Sequence, residues 1–301
     1  MKTTMYHKPV LLEACLEGLA LKESGTYVDA TFGGGGHTKA ILDVLGDKGK
    51  VIAFDQDADA VENTWDDDRL IFVHQNFKYL RRFLRFHNIE KVDGILADLG
   101  VSSHQLDTGE RGFSTRFDGP LDMRMSDTDL VTAQEIINTF SEESLATIFY
   151  RYGELSNSRK IAARIVVERK KKAITTTAEF TEILKPLVPL KVQNKILAQI
   201  FQALRIEVNQ ELKALEALLE QSAEVLDENG RLCMISYHSL EDRLVKRFFQ
   251  HGCFDNEPEK DEFGRTQIPL KKVGRMILPT EKEIKQNKRA RSAKLRIAEK
   301  R

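Results

Sequence analysis

The chain has 301 residues, its 46 Lys plus Arg are balanced by 46 Asp plus Glu, and 41% of it is hydrophobic. That length supports one large domain or two modest ones with a real core, and a net charge of zero excludes a uniformly basic nucleic-acid coat and an acidic disordered tail. No run of about 18 apolar residues occurs and the start leads into no signal-peptide core, so the chain reads as cytosolic.

In chain order, Tyr27 to Ala30 reads as a strand and is followed by a glycine cluster, with a helix from Thr38 to Leu45. Lys50 to Phe54 is a second strand, Ala58 to Thr64 a short helix, Leu70 to Val73 a third strand, Leu80 to His87 a helix, and Asp93 to Ala97 a fourth strand. Strands alternating with helices imply crossover connections and a parallel sheet covered on both faces. From Ala133 to about Val188 the spacing becomes helical throughout, as in Ile136, Ile137 and Phe140, then Leu145, Ile148, Phe149 and Tyr152. A long amphipathic helix is expected over Gln193 to Leu226, stopped by Asn229 and Gly230, and Arg231 to Ser236 resumes the sheet. The expected organisation is one doubly wound α/β domain (1–106 and 201–301) interrupted by an all-helical insertion (107–200). The cysteines, Cys15, Cys233 and Cys253, lie far apart without a C-x-x-C pair, which argues for free thiols and against a structural metal or disulfide framework.

The sharpest local signal is Asp29-Ala30-Thr31-Phe32-Gly33-Gly34-Gly35-Gly36-His37, between a strand and a helix. Glycines there let the backbone approach a ligand, and the following helix start offers free N–H groups; the alternative is a tight turn with no ligand. The G-x-x-x-x-G-K-[ST] phosphate loop is absent, which disfavours a nucleoside triphosphatase. Asp55, nineteen residues after Gly36 and at the end of the second strand, stands where a doubly wound fold places a carboxylate on ribose hydroxyls. A dinucleotide or S-adenosylmethionine would satisfy both features. The seven acids from Asp55 to Asp68 read chiefly as a solvated face. Phe77 follows the third strand, where a ring can flank adenine or join the core. Asp98 ends the fourth strand, where a carboxylate can meet donor or substrate amine, or cap a helix.

A long polar and glycine-bearing stretch follows, including Arg111-Gly112-Phe113-Ser114 and Asp118 to Met125. With it the chain resembles the bacterial ribosomal RNA small subunit methyltransferase H family. The resemblance rests on His7-Lys8-Pro9-Val10-Leu11-Leu12, the Asp29 to His37 turn, Asp93 to Ser103, and the two stretches just named. It continues in Phe201 to Ile206 with Val208-Asn209, in Ser236-Tyr237-His238-Ser239-Leu240-Glu241-Asp242-Arg243, and in Asn287 to Arg296, so it covers nearly the whole chain. The family usually has Pro at His104, Glu at Leu155, Thr at Ile200 and Phe at Tyr237.

The resemblance implies a class I (Rossmann-like) S-adenosylmethionine-dependent methyltransferase that methylates the N4 amine of a cytidine in the decoding region of 16S ribosomal RNA. It implies a donor site with Gly35, Gly36 and His37 near the methionine end, Asp55 on the ribose and Phe77 against the adenine, completed by Asp98 and Gln105. Ser102, Ser103, His238 and Ser239 are further candidates for holding the base or taking its proton, and Phe113, Phe117 and Tyr237 for walling an unstacked base. RNA, as 16S ribosomal RNA or the small subunit, calls for clustered cations. Residues 285–301 carry eight Lys or Arg against one Glu and read as a basic C-terminal tail; residues 151–172 carry eight against two. Two other readings stay open at this point. They are a nicotinamide-dependent oxidoreductase, which also suits the glycine turn and Asp55, and a ribosome-assembly factor that binds RNA without catalysis.

Overall fold

The computed structural model describes residues 9–254 and 268–301, so His7 and Lys8 of the first motif lie outside it. Contacts divide the chain into two compact units, one made of residues 1–100 and 212–301 and the other of residues 101–211.

The first unit opens with α1 (Leu12–Leu19), β1 (Thr26–Asp29), α2 (Gly36–Leu42), β2 (Lys50–Asp55), α3 (Ala58–Val61), β3 (Leu70–His74), α4 (Leu80–Phe86) and β4 (Val92–Asp98). The second unit holds α5 (Ser103–Asp107), α6 (Ala133–Thr139), α7 (Glu142–Arg151), α8 (Ser158–Arg169), α9 (Thr177–Leu184) and α10 (Gln193–Asn209). The first unit resumes along α11 (Glu211–Val225), then β5 (Leu226–Ser236), α12 (Ser239–His251), β6 (Leu270–Ile277), α13 (Glu281–Gln286) and β7 (Lys294–Lys300).

Seven strands form one sheet in the order β3-β2-β1-β4-β5-β7-β6. β1 to β5 pair in parallel, whereas β7 is antiparallel to both β5 and β6. Alternate strand residues feed two cores. Val28, Ile52, Ile95 and Leu232 pack with Leu80, Leu84, Leu218 and Phe248 of α4, α11 and α12. Their neighbours Tyr27, Val51, Leu96 and Cys233 pack with Cys15, Leu19, Ile41 and Leu42 of α1 and α2. The period of two sends successive side chains to opposite faces, so both faces of the sheet are buried.

The helical unit has its own core, in which Phe149, Ile161, Ile165, Phe180, Ile200 and Leu204 are fully buried. No helix among the described residues is long and apolar enough to cross a membrane.

Two expectations need correction. The long helix over Gln193 to Leu226 is two helices, because Gln210 takes a left-handed conformation (φ 48°). Its neighbour Asn209 is drawn into other bonds: Nδ2 donates to the Arg205 and Met123 carbonyls, and Oδ1 accepts from Met125 N–H at 2.7 Å. Contacts divide the two units at 100/101 and 211/212. Finally, much of the basic C-terminal stretch is not a tail: Leu295, Ile297 and Ala298 are buried in β7, inside the sheet between β5 and β6.

Candidate active site

The strand order reverses at β1, which has β2 on one side and β4 on the other. Open parallel sheets hold ligands outside the carboxyl ends of their strands at such a point. Here those ends carry the glycine turn, Asp55 and Asp98.

The turn is braced from below by Asp29, which is fully buried. Its Oδ1 accepts from Thr31 N–H at 3.0 Å and its Oδ2 from the Thr38 hydroxyl at 2.7 Å, tying the turn to the first turn of α2. Gly35 adopts φ +74°, and a Cβ there would lie 2.7 Å from Trp65 Cζ3, so conformation and space both demand glycine. A Cβ on Gly36 would run into the Pro9 ring. His37 is buried, with Nε2–H donating to the Val10 carbonyl at 3.1 Å.

Asp55 is reached from two sides. Gly33 N–H donates to Oδ2 at 2.7 Å and Asp57 N–H to Oδ1 at 2.9 Å. Burial pushes its carboxyl up to about 6, while these two bonds pull the other way. Each carboxylate oxygen accepts about two hydrogen bonds, so the pair of oxygens keeps capacity for two neighbouring hydroxyls. Beyond β3, Asn76 binds Gln56 through Nδ2 at 2.7 Å and caps the turn that carries Phe77. Phe77 is half-buried and packs against the main core, so the core alternative holds for part of its ring.

Asp98 is held at its backbone N–H by the Thr31 hydroxyl, 2.7 Å away, and at Oδ1 by the Tyr237 hydroxyl, which donates at 2.7 Å. Burial pushes its carboxyl up to about 6; the His37 ring and the Tyr237 bond oppose this, and Asp29 and Glu241 add to it. Burial and the Asp98 charge together push the Tyr237 phenol well above its ordinary value. The helix-cap alternative for Asp98 does not hold, since Ser102 caps α5. Gln105 belongs to the helical unit, where it is buried and completes the cap with Ser102: its Oε1 accepts from Ser102 N–H at 3.0 Å and its N–H donates to Ser102 Oγ at 3.1 Å.

The structure thus brings Gly35, Gly36, His37, Asp55, Phe77 and Asp98 to the strand ends of the first unit. The motifs contained Asp29, Thr31 and Asn76, but spacing along the chain did not give their bracing roles or the contact between Tyr237 and Asp98.

Other candidates have structural work. His238 caps α12, and Glu241 answers by accepting from Tyr237 N–H at 2.8 Å. Phe113 is buried in the helical core and so is no wall for a base, while Phe117 is exposed. Within the basic stretches, Arg164 and Lys171 pair with Glu168, and Lys294 and Arg296 with Asp242.

A seven-stranded sheet with a reversed β7, a glycine turn after β1 and carboxylates ending β2 and β4 define a class I, Rossmann-like methyltransferase. The chain belongs to the MraW methylase family, whose model matches residues 4–301. It is 56% identical over 301 residues, the whole of both chains, to the ribosomal RNA small subunit methyltransferase H of Flavobacterium johnsoniae. Its counterpart of that name in Christiangramia forsetii is 56% identical over 98% of each chain, and that of Bacteroides thetaiotaomicron 54% identical over 98% of this chain and 97% of its own. These relatives leave the nicotinamide oxidoreductase and the non-catalytic assembly factor without support.

Proposed function

We propose that the protein transfers a methyl group from S-adenosylmethionine to the N4 amine of a cytidine in the decoding region of 16S ribosomal RNA, acting on the small subunit in the cytoplasm. We read residues 101–211 as a helical subdomain inserted into the methyltransferase domain. The observation that carries the donor assignment is Asp55: it ends β2 at the switch point, its oxygens are half-used by backbone N–H groups, and no Lys or Arg among the described residues is paired with it.

When bound, S-adenosylmethionine supplies a methyl group activated on a positively charged sulfur. Asp55 accepts hydrogen bonds from the ribose hydroxyls, and Phe77 flanks the adenine. Gly35 and Gly36 present backbone in place of side chain at the methionine end, and His37 stands beside them. For Gln105, in the helical unit, the support is the family motif alone.

Cytosine N4 is a weak nucleophile because its lone pair is delocalised into the ring, so catalysis depends on orientation and on an acceptor for the amine hydrogens as charge develops. Asp98 is the carboxylate suited to that role. Tyr237 and Thr31 fix its position, and its charge also favours a cationic donor nearby.

Isothermal titration separates this from dinucleotide binding. S-adenosylmethionine should bind with NADH giving no heat; binding of NADH alone would remove the methyl donor from the crevice.

A further inference from the structure

A groove of about 30 Å³ runs between α12, β6 and β7, at one edge of the sheet, and among the described residues its charged lining is entirely cationic. Lys246 comes from α12, Lys272 and Arg275 from β6, and Arg296 from β7. Arg296 is committed to Asp242, to which its Nε donates at 2.7 Å. Lys246, Lys272 and Arg275 are exposed, and among the described residues none of them has an ion-pair partner.

The backbone builds this grouping. Residues three apart on a regular strand face opposite sides of a sheet, so Lys272 and Arg275 would be separated. The β6/β7 ladder instead jumps from Val273 opposite Ile297 to Ile277 opposite Leu295, so the pairing shifts register across Gly274 to Met276. Gly274, at φ +63° with open space around its Cα, permits that bulge. Both cations then line one groove, floored by Phe249 and Met276. Three cations held this close, unpaired among the described residues, repel one another, and an anionic partner relieves that cost.

Register places the groove relative to the crevice. β5 ends at Ser236, opposite Lys294, and Arg296 lies opposite Met234, two residues back from that end. α12 also starts at the crevice, two residues after Tyr237, and Lys246 lies two turns along it. The groove therefore leads from the active-site end of the sheet along its edge.

We propose that Lys246, Lys272 and Arg275 hold the phosphodiester backbone of the RNA strand flanking the target base. This rests on the reading of the chain as an RNA methyltransferase. A groove whose charged groups among the described residues are cations suits phosphate oxygens, which makes the contact one of positioning without sequence readout.

The test is the salt dependence of binding to a fluorescently labelled single-stranded oligocytidylate. Each phosphate contact on a single strand contributes about 0.7 to the slope of log affinity against log salt. Lys246→Gln/Lys272→Gln/Arg275→Gln should flatten the slope by about 2 and so weaken binding roughly a hundredfold at 0.1 M relative to 1 M salt. Lys285→Gln/Lys288→Gln/Arg291→Gln, which removes equally many exposed cations elsewhere, should change it less, and Arg275→Lys should leave it as in the parent. An unchanged slope in the groove variant, or an equal loss in both triple variants, overturns the assignment. If the triple variant melts early, Lys246→Glu alone, on the exposed face of α12, should still flatten the slope, by about 1. Methyl transfer by the parent to undermethylated small subunits is scored separately. Its absence refutes the methyltransferase reading, while the slopes still decide whether the groove holds phosphate.

Discussion

Asp55 and Asp98 in the crevice, and Asp242 beside β7, are all carboxylates largely withdrawn from water, but their neighbours differ in kind. Asp55 and Asp98 are met by backbone N–H groups, a phenol and a histidine ring, and burial pushes both carboxyls up to about 6. Burial alone would raise Asp242 too, but the bonds from Arg296 and Lys294 outweigh it and hold the carboxyl below its ordinary value. The frame of the fold neutralises its buried acid from within, and the crevice leaves its acids for something that arrives.

The contrast has opposite signs in pH. For Asp55 and Asp98 the folded value lies above the unfolded one, so their contribution to stability is full below the unfolded value of 3.8 and is lost as pH rises through about 6. For Asp242 the folded value is depressed, so its contribution is present above 3.8 and is lost as pH falls through the folded value. Above pH 6 the free crevice is thus an electrostatically unfavourable arrangement, which the proposed cationic donor with two ribose hydroxyls would relieve.

The contrast can be broken at either end. The largest expected effect is on binding. If Asp55 holds the ribose as proposed, Asp55→Ala removes two charge-assisted bonds, about 3 kcal/mol in all, so donor affinity measured by titration should fall roughly a hundredfold while the unfolding midpoint moves little. Asp242→Ala should do the reverse. It strands Arg296, whose side chain is only 13% exposed, and should cost about 2 kcal/mol in urea unfolding, with donor affinity unchanged. The smallest effect sharpens the crevice itself. Tyr237→Phe takes away the hydrogen bond that favours ionised Asp98, so the acid limb of the pH–rate profile for methyl transfer should move up by about one pH unit. An unmoved limb would show that Asp98 ionisation does not govern transfer.

What could be read along the chain were features with local causes. The Asp29 to His37 turn, Asp55 and Asp98 are each adjacent to an apolar strand, so the period of the pattern places them at strand ends. The break at Gln210 was hidden because the apolar spacing of α10 and α11 runs on across it, while its cause, the bonds from Asn209 to Met123 and Met125, reaches over 80 residues away. β7 was hidden for another reason. Its Leu295 and Ile297 alternate with Lys294 and Arg296, a half-buried strand that composition alone reads as a basic tail. The Tyr237 to Asp98 bond spans 139 residues and is a product of β4 and β5 lying side by side. Local pattern therefore shows which groups reach the crevice, and long-range pairing decides which of them are held and charged.

The most direct test is to incubate small ribosomal subunits lacking this modification with methyl-labelled S-adenosylmethionine and the protein, and to digest the RNA to nucleosides. Label should appear in N4-methylcytidine from 16S ribosomal RNA and be lost with Asp55→Ala. Label in another nucleoside, or none under conditions where the subunits bind, would contradict it.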